Sequence, residues 1–280
     1  MPDQSINQSY ELLRYSAPLS EDLADVPDNV EHLTIHAKTR SQDRLDQLVG
    51  LRRLRVGGAT LPLLEQVVQL SRLEELLLVC PVCDTLPDSW HLPELRILLI
   101  ERAPKLTSIE SLAAMKHLGA ICLKNLKKLV DYSPLGELTN LRRLELGGDK
   151  PWERFSIDSL SFLSNLRKLE NLTLNFAKVQ DGSLRPIASL PSVQTVSLWN
   201  VFPREEFAYL TARLPHVRCH WLSGHLELSD GCPDCRKKSR VLLTGIRQGN
   251  VCRNCDKGKF ERKMAEFQTL VESFRGEDAS

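Results

Sequence analysis

The sequence predicts an α/β solenoid of stacked repeats followed by a small, separate metal-clip module, and three observations carry that expectation. Segments of the form L-x-x-L-x-L, with Val or Ile allowed, begin at Val30, Leu51, Leu73, Leu95, Leu118, Leu141, Leu169, Val193 and Val217. Their starts are 21 to 24 residues apart, apart from one step of 28 between Leu141 and Leu169, and a period in this range marks repeat architectures. Beyond residue 225 the leucine pattern stops, and the pairs Cys232/Cys235 and Cys252/Cys255 stand sixteen residues apart.

The clearest units read "LRRLRV", "LEELLL", "LRILLI", "LRRLEL" and "LENLTL". From about residue 30 to residue 225 the chain resembles the leucine-rich repeat family. That resemblance implies a curved solenoid in which each unit adds a short strand to a parallel sheet on the concave face. The residues agree on their own terms, because the three apolar positions of one unit can be hidden only against neighbouring units. Between the strands, "IESLAAMKH" and "IDSLSFLSN" carry apolar residues at three- and four-residue spacing and are expected to form helical turns on the convex side. The 28-residue step contains "GGDKPWERFS", whose Gly, Pro and charged residues suit an exposed loop.

One feature departs from the family. Its ninth template position usually holds Asn or Cys, whereas here it holds Lys38, Ala59, Pro81, Ala103, Leu126, Asp149, Ala177 and Val201. The turns are therefore expected to differ from those built on an asparagine ladder. Residues 1–29, with "YELLRYSAPL", fit an N-terminal cap over the first repeat, since a solenoid needs both ends covered. The expected units are thus a cap at 1–29, the solenoid at 30–225, the four-cysteine module at 226–257, and a helix with its tail at 258–280.

A gap of sixteen residues between two Cys-x-x-Cys pairs lies in the range typical of zinc sites. Each pair can deliver two thiolates from a tight turn. Cys232, Cys235, Cys252 and Cys255 would close a tetrahedral site with no open position, so a single Zn2+ there is structural. Disulfides and free thiols are the alternatives. The module resembles a zinc ribbon; a RING-type ligase would need two metals and eight ligands. About forty residues build too small a core to stand alone, and metal binding would supply the deficit. From Cys232 to Lys263 ten Lys or Arg residues face three acidic ones. Arg236, Lys237, Lys238, Arg240, Arg247 and Arg253 could contact phosphates, although the region lacks aromatic residues that stack bases. After the module, Phe260, Met264, Phe267, Val271 and Phe274 recur at helical spacing and make one narrow apolar seam. That seam suits packing on the module or the last repeats, or a coiled-coil contact.

Composition excludes several classes. Lys plus Arg total 37 against 36 Asp plus Glu, so no global charge draws the chain to nucleic acid or to a membrane. No stretch approaches the roughly 18 apolar residues of a membrane span, and no basic start leads into an apolar run, so a soluble, cytoplasmic protein is expected. There is no Gly-rich phosphate loop, no HExxH and no nucleophile elbow, which argues against an enzyme. His216, His220 and His225 precede the module but add nothing to a site four cysteines complete. "CPVC" at Cys80–Cys83 lacks a thioredoxin-like setting, and Cys83 falls on an apolar template position, which favours core packing.

Side chains alternate along a strand, so template positions 4 and 6 are buried and positions 3, 5 and 7 face the concave side. That side is expected to show His32, Thr34, His36, Arg53 and Arg55, then an apolar patch of Leu77, Val79, Ile97, Leu99, Ala120 and Cys122 bordered by Glu101. Trp199 and Trp221 follow further along. Such a patch on a soluble chain marks either a docking surface for a protein or peptide partner or a face covered by a terminal segment of the same chain. The expected function is a non-catalytic interaction scaffold. A nucleic-acid-binding factor acting through the basic module, or an accessory subunit of an enzyme complex, is the alternative.

Overall fold

A computed structural model describes residues 18–148 and 155–277. Eight short strands form one parallel sheet: β1 (His32–His36), β2 (Arg53–Gly57), β3 (Glu75–Val79), β4 (Ile97–Glu101), β5 (Ala120–Lys124), β6 (Arg143–Gly147), β8 (Asn171–Asn175) and β10 (Thr195–Leu198). The first seven occupy template positions 3 to 7 of their repeats, and β10 stops at position 6. The register follows the leucines: Leu54 opposes Leu76, which opposes Leu98, then Ile121, Leu144, Leu172 and Val196. A slip of one residue would turn that whole row to the opposite face, so burial fixes the pairing.

Return segments run along the other side as short 3-10 helices, among them Glu110–Ala114, Ser133–Glu137, Ser161–Asn165 and Arg185–Ser189, with one α-helical turn pair, α1 (Leu61–Val67). Between these and the sheet lies a single apolar core that runs from Leu23 to Val271. The stretched repeat uses its extra length for a second, two-stranded parallel sheet, β7 (Phe155–Ile157) on β9 (Ala177–Val179). The exposed loop expected over "GGDKPWERFS" is corrected at its ends: Gly147 closes β6, and Phe155 begins β7 with its ring buried. Residues 149–154 lie outside the described residues, as does most of "YELLRYSAPL".

The missing asparagine ladder is replaced by the main chain. The residue after each strand is left-handed in five repeats: Gly58 (φ 63°), Cys80 (51°), Arg102 (56°), Asn125 (56°) and Phe176 (59°). In that conformation the N–H turns toward the next repeat. Gly58 donates to the Val79 carbonyl, Cys80 to Glu101, Arg102 to Lys124 and Asn125 to Gly147, each at 2.8 Å. Non-glycine residues adopt this conformation at a cost of about 1–2 kcal/mol, which the inter-repeat hydrogen bond helps offset. The ninth position is thereby freed for apolar packing, and Ala59, Ala103 and Leu126 are buried there.

At the C-terminal end the pattern changes. Helix α2 (Arg204–Arg213) takes the place of a 3-10 return, and the ninth repeat adds no strand. Arg218 makes a single bridge to Thr195, after which the chain turns through the 3-10 helix His220–Ser223. An antiparallel sheet follows, β11 (His225–Glu227), β12 (Arg240–Leu243) and β13 (Asn250–Cys252). Helix α3 (Lys257–Gly276) then packs on α2, with Phe267 and Val271 buried, Phe274 half-buried, and the Tyr209 and Phe274 rings edge to face at 5.4 Å. The seam predicted for this helix is the one that closes the solenoid. No helix among the described residues is long and apolar enough to cross a membrane.

Candidate functional site

The four module cysteines come together. Their sulfurs all lie within 4.8 Å of one another, with Cys232 and Cys255 at 3.9 Å and Cys235 and Cys252 at 3.7 Å. Four thiolates held at about 2.3 Å from one tetrahedral ion stand about 3.8 Å apart, so the cluster has the size of a four-sulfur metal site. Disulfide bonds need sulfurs at about 2 Å, and none of the eight cysteines is in a disulfide.

Local backbone shapes the site. Cys232 lies before β12 and Cys252 ends β13, so the two pairs face each other across one hairpin. Arg236, left-handed at φ 58°, closes the first turn and donates its N–H to the Cys232 carbonyl at 2.8 Å. In the second turn the Cys255 N–H points at Cys252 Sγ at 3.4 Å. Ser239 Oγ, 3.1 Å from the same sulfur, and that backbone N–H hold the Cys252 thiol well below its ordinary value, at about 6. Cys255 moves the other way, pushed up first by its hydrogen bond to Cys235. Crowded sulfurs cannot all carry charge without a cation, and a divalent ion is the group this donor set fits. No histidine belongs to the cluster among the described residues.

The predicted phosphate contacts divide. Arg236, Lys237, Lys238 and Arg247 are exposed. Arg240 is paired with Asp230, and Arg253 Nη2 lies 2.8 Å from Glu227 Oε1.

The module is fastened to the last repeat by main-chain groups. Asn200 Nδ2 donates to the Leu243 carbonyl at 2.9 Å, its Oδ1 accepts from the Gly245 N–H at 2.6 Å, and the Ile246 N–H donates to the Phe202 carbonyl at 2.8 Å. Gly245 has φ +105°, and a Cβ there would sit 2.6 to 2.9 Å from Arg204 Cβ, Cα and N. Gly245→Ala should therefore cost about 1–3 kcal/mol in backbone strain alone and loosen this joint; faster proteolysis of the β12–β13 turn than of the repeats is the expected readout.

The concave face differs from the sequence expectation in its centre. Leu77, Val79, Ile97, Leu99, Ala120 and Cys122 are brought together as one cluster, but all six are buried, Leu99, Ala120 and Cys122 at 0 % exposure. The exposed patch expected there is thus corrected: alternation decides which face a side chain takes, and not whether that face meets water. Acidic and basic neighbours are drawn in as well. Arg53 Nε pairs with Glu75 Oε1 at 3.1 Å, and Lys124 pairs with Glu145, both residues buried. Arg55 is half-buried and Glu101 borders the patch, partly exposed.

Trp221 is corrected too. It belongs to the 3-10 helix beyond the last strand, its ring is buried, and its indole N–H donates to the Leu198 carbonyl at 2.8 Å. Trp199 is 41 % exposed and rests on Phe176 with ring centroids 4.1 Å apart. These two rings, with Val179, Phe202, Pro203 and Ile246, line an open cavity of about 310 Å³. Sequence reasoning missed Phe176 and Ile246. The available signal for Ile246 was an apolar residue in the Gly-bounded turn "GIRQG". Beside the cavity, Asn171, Thr173 and Asn175 of β8 and Ser197 of β10 keep partly or fully exposed polar side chains. Cys83 packs in the main core, as its template position implied.

Eight in-register parallel strands with short returns behind them define a curved-repeat solenoid protein. Residues 30–219 match the family described as leucine-rich repeat region, and since this is more than half of the chain, the chain belongs to that family. A leucine-rich repeat protein of Leptospira interrogans has a similar structure, with a TM-score of 0.53 at 21% identity, covering 72% of this chain and 52% of that one. An internalin of Listeria monocytogenes matches at a TM-score of 0.42 and 16% identity, covering 68% of this chain and 52% of that one. The chain spans about half the length of these two solved structures, and the likeness speaks for the fold alone. A search of curated proteins gave no significant match.

Proposed function

We propose that this chain is a non-catalytic scaffold that holds an extended segment of a protein or peptide partner at the C-terminal third of its concave face. The cavity under Trp199 carries this reading. Aromatic side chains in a partly open pocket are the usual anchors of binding energy, and Trp199, Phe176 and Ile246 form one at the joint between solenoid and module. Asn171, Thr173, Asn175 and Ser197 run beside it and offer donors and acceptors to a peptide backbone. In this reading the four thiolates hold one Zn2+ as a closed structural clip that fixes the β12–β13 turn, and with it Ile246, against the last repeat. Cysteines without disulfide bonds suit a reducing compartment such as the cytoplasm.

Selecting a displayed peptide library on the immobilised protein tests this. Enriched peptides should bind Trp199→Ala roughly thirtyfold more weakly, the equivalent of about 2 kcal/mol, and Ile246→Glu comparably, with thermal stability unchanged for these exposed positions. Equal binding to wild type and both variants would sink the proposal. The second reading, nucleic-acid binding by the module, rests on the exposed Arg236, Lys237, Lys238 and Arg247. It expects a gel shift of the whole protein that weakens steeply with salt.

A further inference from the structure

We propose that the free edge of β9 is a strand-addition site, at which an extended segment of a partner protein carrying an apolar residue beside an acidic one joins β7 and β9 as a third strand. The strand addition rests on the proposed function, since it takes the Trp199 cavity as the place where a peptide is held, and it names the mode of binding and the chemistry of that peptide.

The phase of the small sheet shows which main-chain groups are free. The Gln180 N–H donates to the Ile157 carbonyl at 2.8 Å. Every second residue of a parallel strand bonds to its partner, so Lys178 also points its N–H and carbonyl to β7, while those of Ala177 and Val179 point away. The Val179 carbonyl is taken by the Gly182 N–H at 3.1 Å. The Ala177 N–H, the Ala177 carbonyl and the Val179 N–H form no hydrogen bond among the described residues.

The next repeat does not close this edge. Val201, Phe202 and Pro203 stand one repeat on at the template positions of Ala177, Lys178 and Val179. The Val201 N–H turns back to the Trp199 carbonyl at 2.8 Å, the Phe202 carbonyl accepts from the Ile246 N–H, and Pro203 has no N–H to give. Both segments instead line the open cavity, together with Trp199 and Ile246. An unpaired strand edge is a template for a further strand, and this one borders an aromatic anchor.

Register then sets the chemistry. Side chains of an added strand alternate, one set on the side of buried Ala177 and Val179 and the other beside exposed Lys178. The first set meets the apolar walls. Among the described residues, Lys178 is the one charged side chain lining the cavity, and Arg247, exposed beside Ile246, extends the positive charge. Asp181 and Glu205 follow the two segments in sequence, but neither lines the cavity, and Asp181 accepts from the Ser183 N–H at 3.0 Å. An acidic residue adjoining the anchor therefore meets a cation, whereas one two positions away is turned to the apolar walls.

Random peptides displayed and selected on the full chain supply the probe. Enriched sequences should carry a large apolar residue with Asp or Glu directly beside it. A synthetic copy of the strongest binder, methylated at one backbone nitrogen at a time, should lose about tenfold in affinity at alternate residues and little at those between, because only every second amide meets β9. On binding, hydrogen exchange of the Ala177 and Val179 amides, read by NMR, should slow by about tenfold or more, while that of Lys178, already bonded to β7, changes little. Lys178→Glu should weaken binding about fivefold, less so at high salt, and Lys in place of the peptide's acidic residue should restore it. Binding that Trp199→Ala leaves unchanged, or no enriched peptide at all, overturns the proposed function and the strand addition with it. Binding that Trp199→Ala weakens, but with no alternation under N-methylation or no slowing at Ala177 and Val179, keeps the cavity as the site and overturns the strand addition. Anchors without an acidic neighbour, or indifference to Lys178→Glu, overturn the acidic chemistry of the segment.

Discussion

Stripping a metal from the four-cysteine cluster with a strong chelator, or replacing Cys235 and Cys252 by Ser, should unfold residues 226–256 and leave the parallel sheet folded. The module's own apolar core is Val241, Leu243 and Val251 with Phe260 against it, far too little to order some thirty residues. Structural zinc sites contribute on the order of 10 kcal/mol of apparent folding free energy, so a zinc held by these cysteines would outweigh the module's own apolar core. The sheet has no such dependence, because its core continues from repeat to repeat and meets the module only at its C-terminal end, where Leu226 and Leu242 pack on it and Leu243 to Ile246 bond to Asn200, Phe202, Trp221 and Gly224. Limited proteolysis should therefore move to Arg236–Arg240 and Arg253 on metal removal, with one equivalent of zinc released to a chromophoric chelator. Absence of stoichiometric metal, or an unchanged cleavage pattern, would contradict the closed four-sulfur site.

Phe267→Ala should lower stability by about 3–5 kcal/mol, the usual cost of deleting a buried ring, and lower the melting temperature by on the order of 10 °C. The ring lies between α3, α2 and Gly224, whose position at φ +83° leaves room for it; a Cβ on Gly224 would sit 2.9 Å from the Phe267 ring and 2.7 Å from Met264. Loss of this wedge frees α3 from the last repeat and bares the end of a core that otherwise has no terminus. Differential scanning calorimetry reads the shift, and a cost below about 1 kcal/mol would show that α3 is a bystander and not the end cap.

The strands were legible because three leucines in each six-residue unit both define the repeat and set the register, and seven of the eight strands fall on the template positions the sequence marked. The same holds for the α3 seam from Phe260 to Phe274, where period and burial coincide. The cysteine cluster was legible as a spacing, and the structure supplies its size. Other features had no local mark. Leu77 and Leu99 read as outward-facing, and a strand's alternation carries no information on what else lies over its face. Trp221 read as a strand residue since Val217 and Leu222 continue the leucine pattern, but α2 has already consumed the return and the chain turns away. Strand β7 hid in a segment whose Gly, Pro and charges signalled a loop, and its pairing with β9 joins residues 22 apart. Phe176 and Ile246 are far apart in sequence, so a cavity that needs both is visible only once the module is seated.

The left-handed residue after each strand has a consequence for how freely this chain can change. Since the main chain there makes the bond to the next repeat at Gly58, Cys80, Arg102 and Asn125, four different side chains are carried on one backbone shape, which Phe176 shares. The rim of the horseshoe is a row of sockets whose inter-repeat bond does not come from the side chain they carry. Phe176 fills one of them with an aromatic ring under Trp199, and the neighbouring sockets could be refitted with other chemistry, one repeat at a time, to retune what the rim grips.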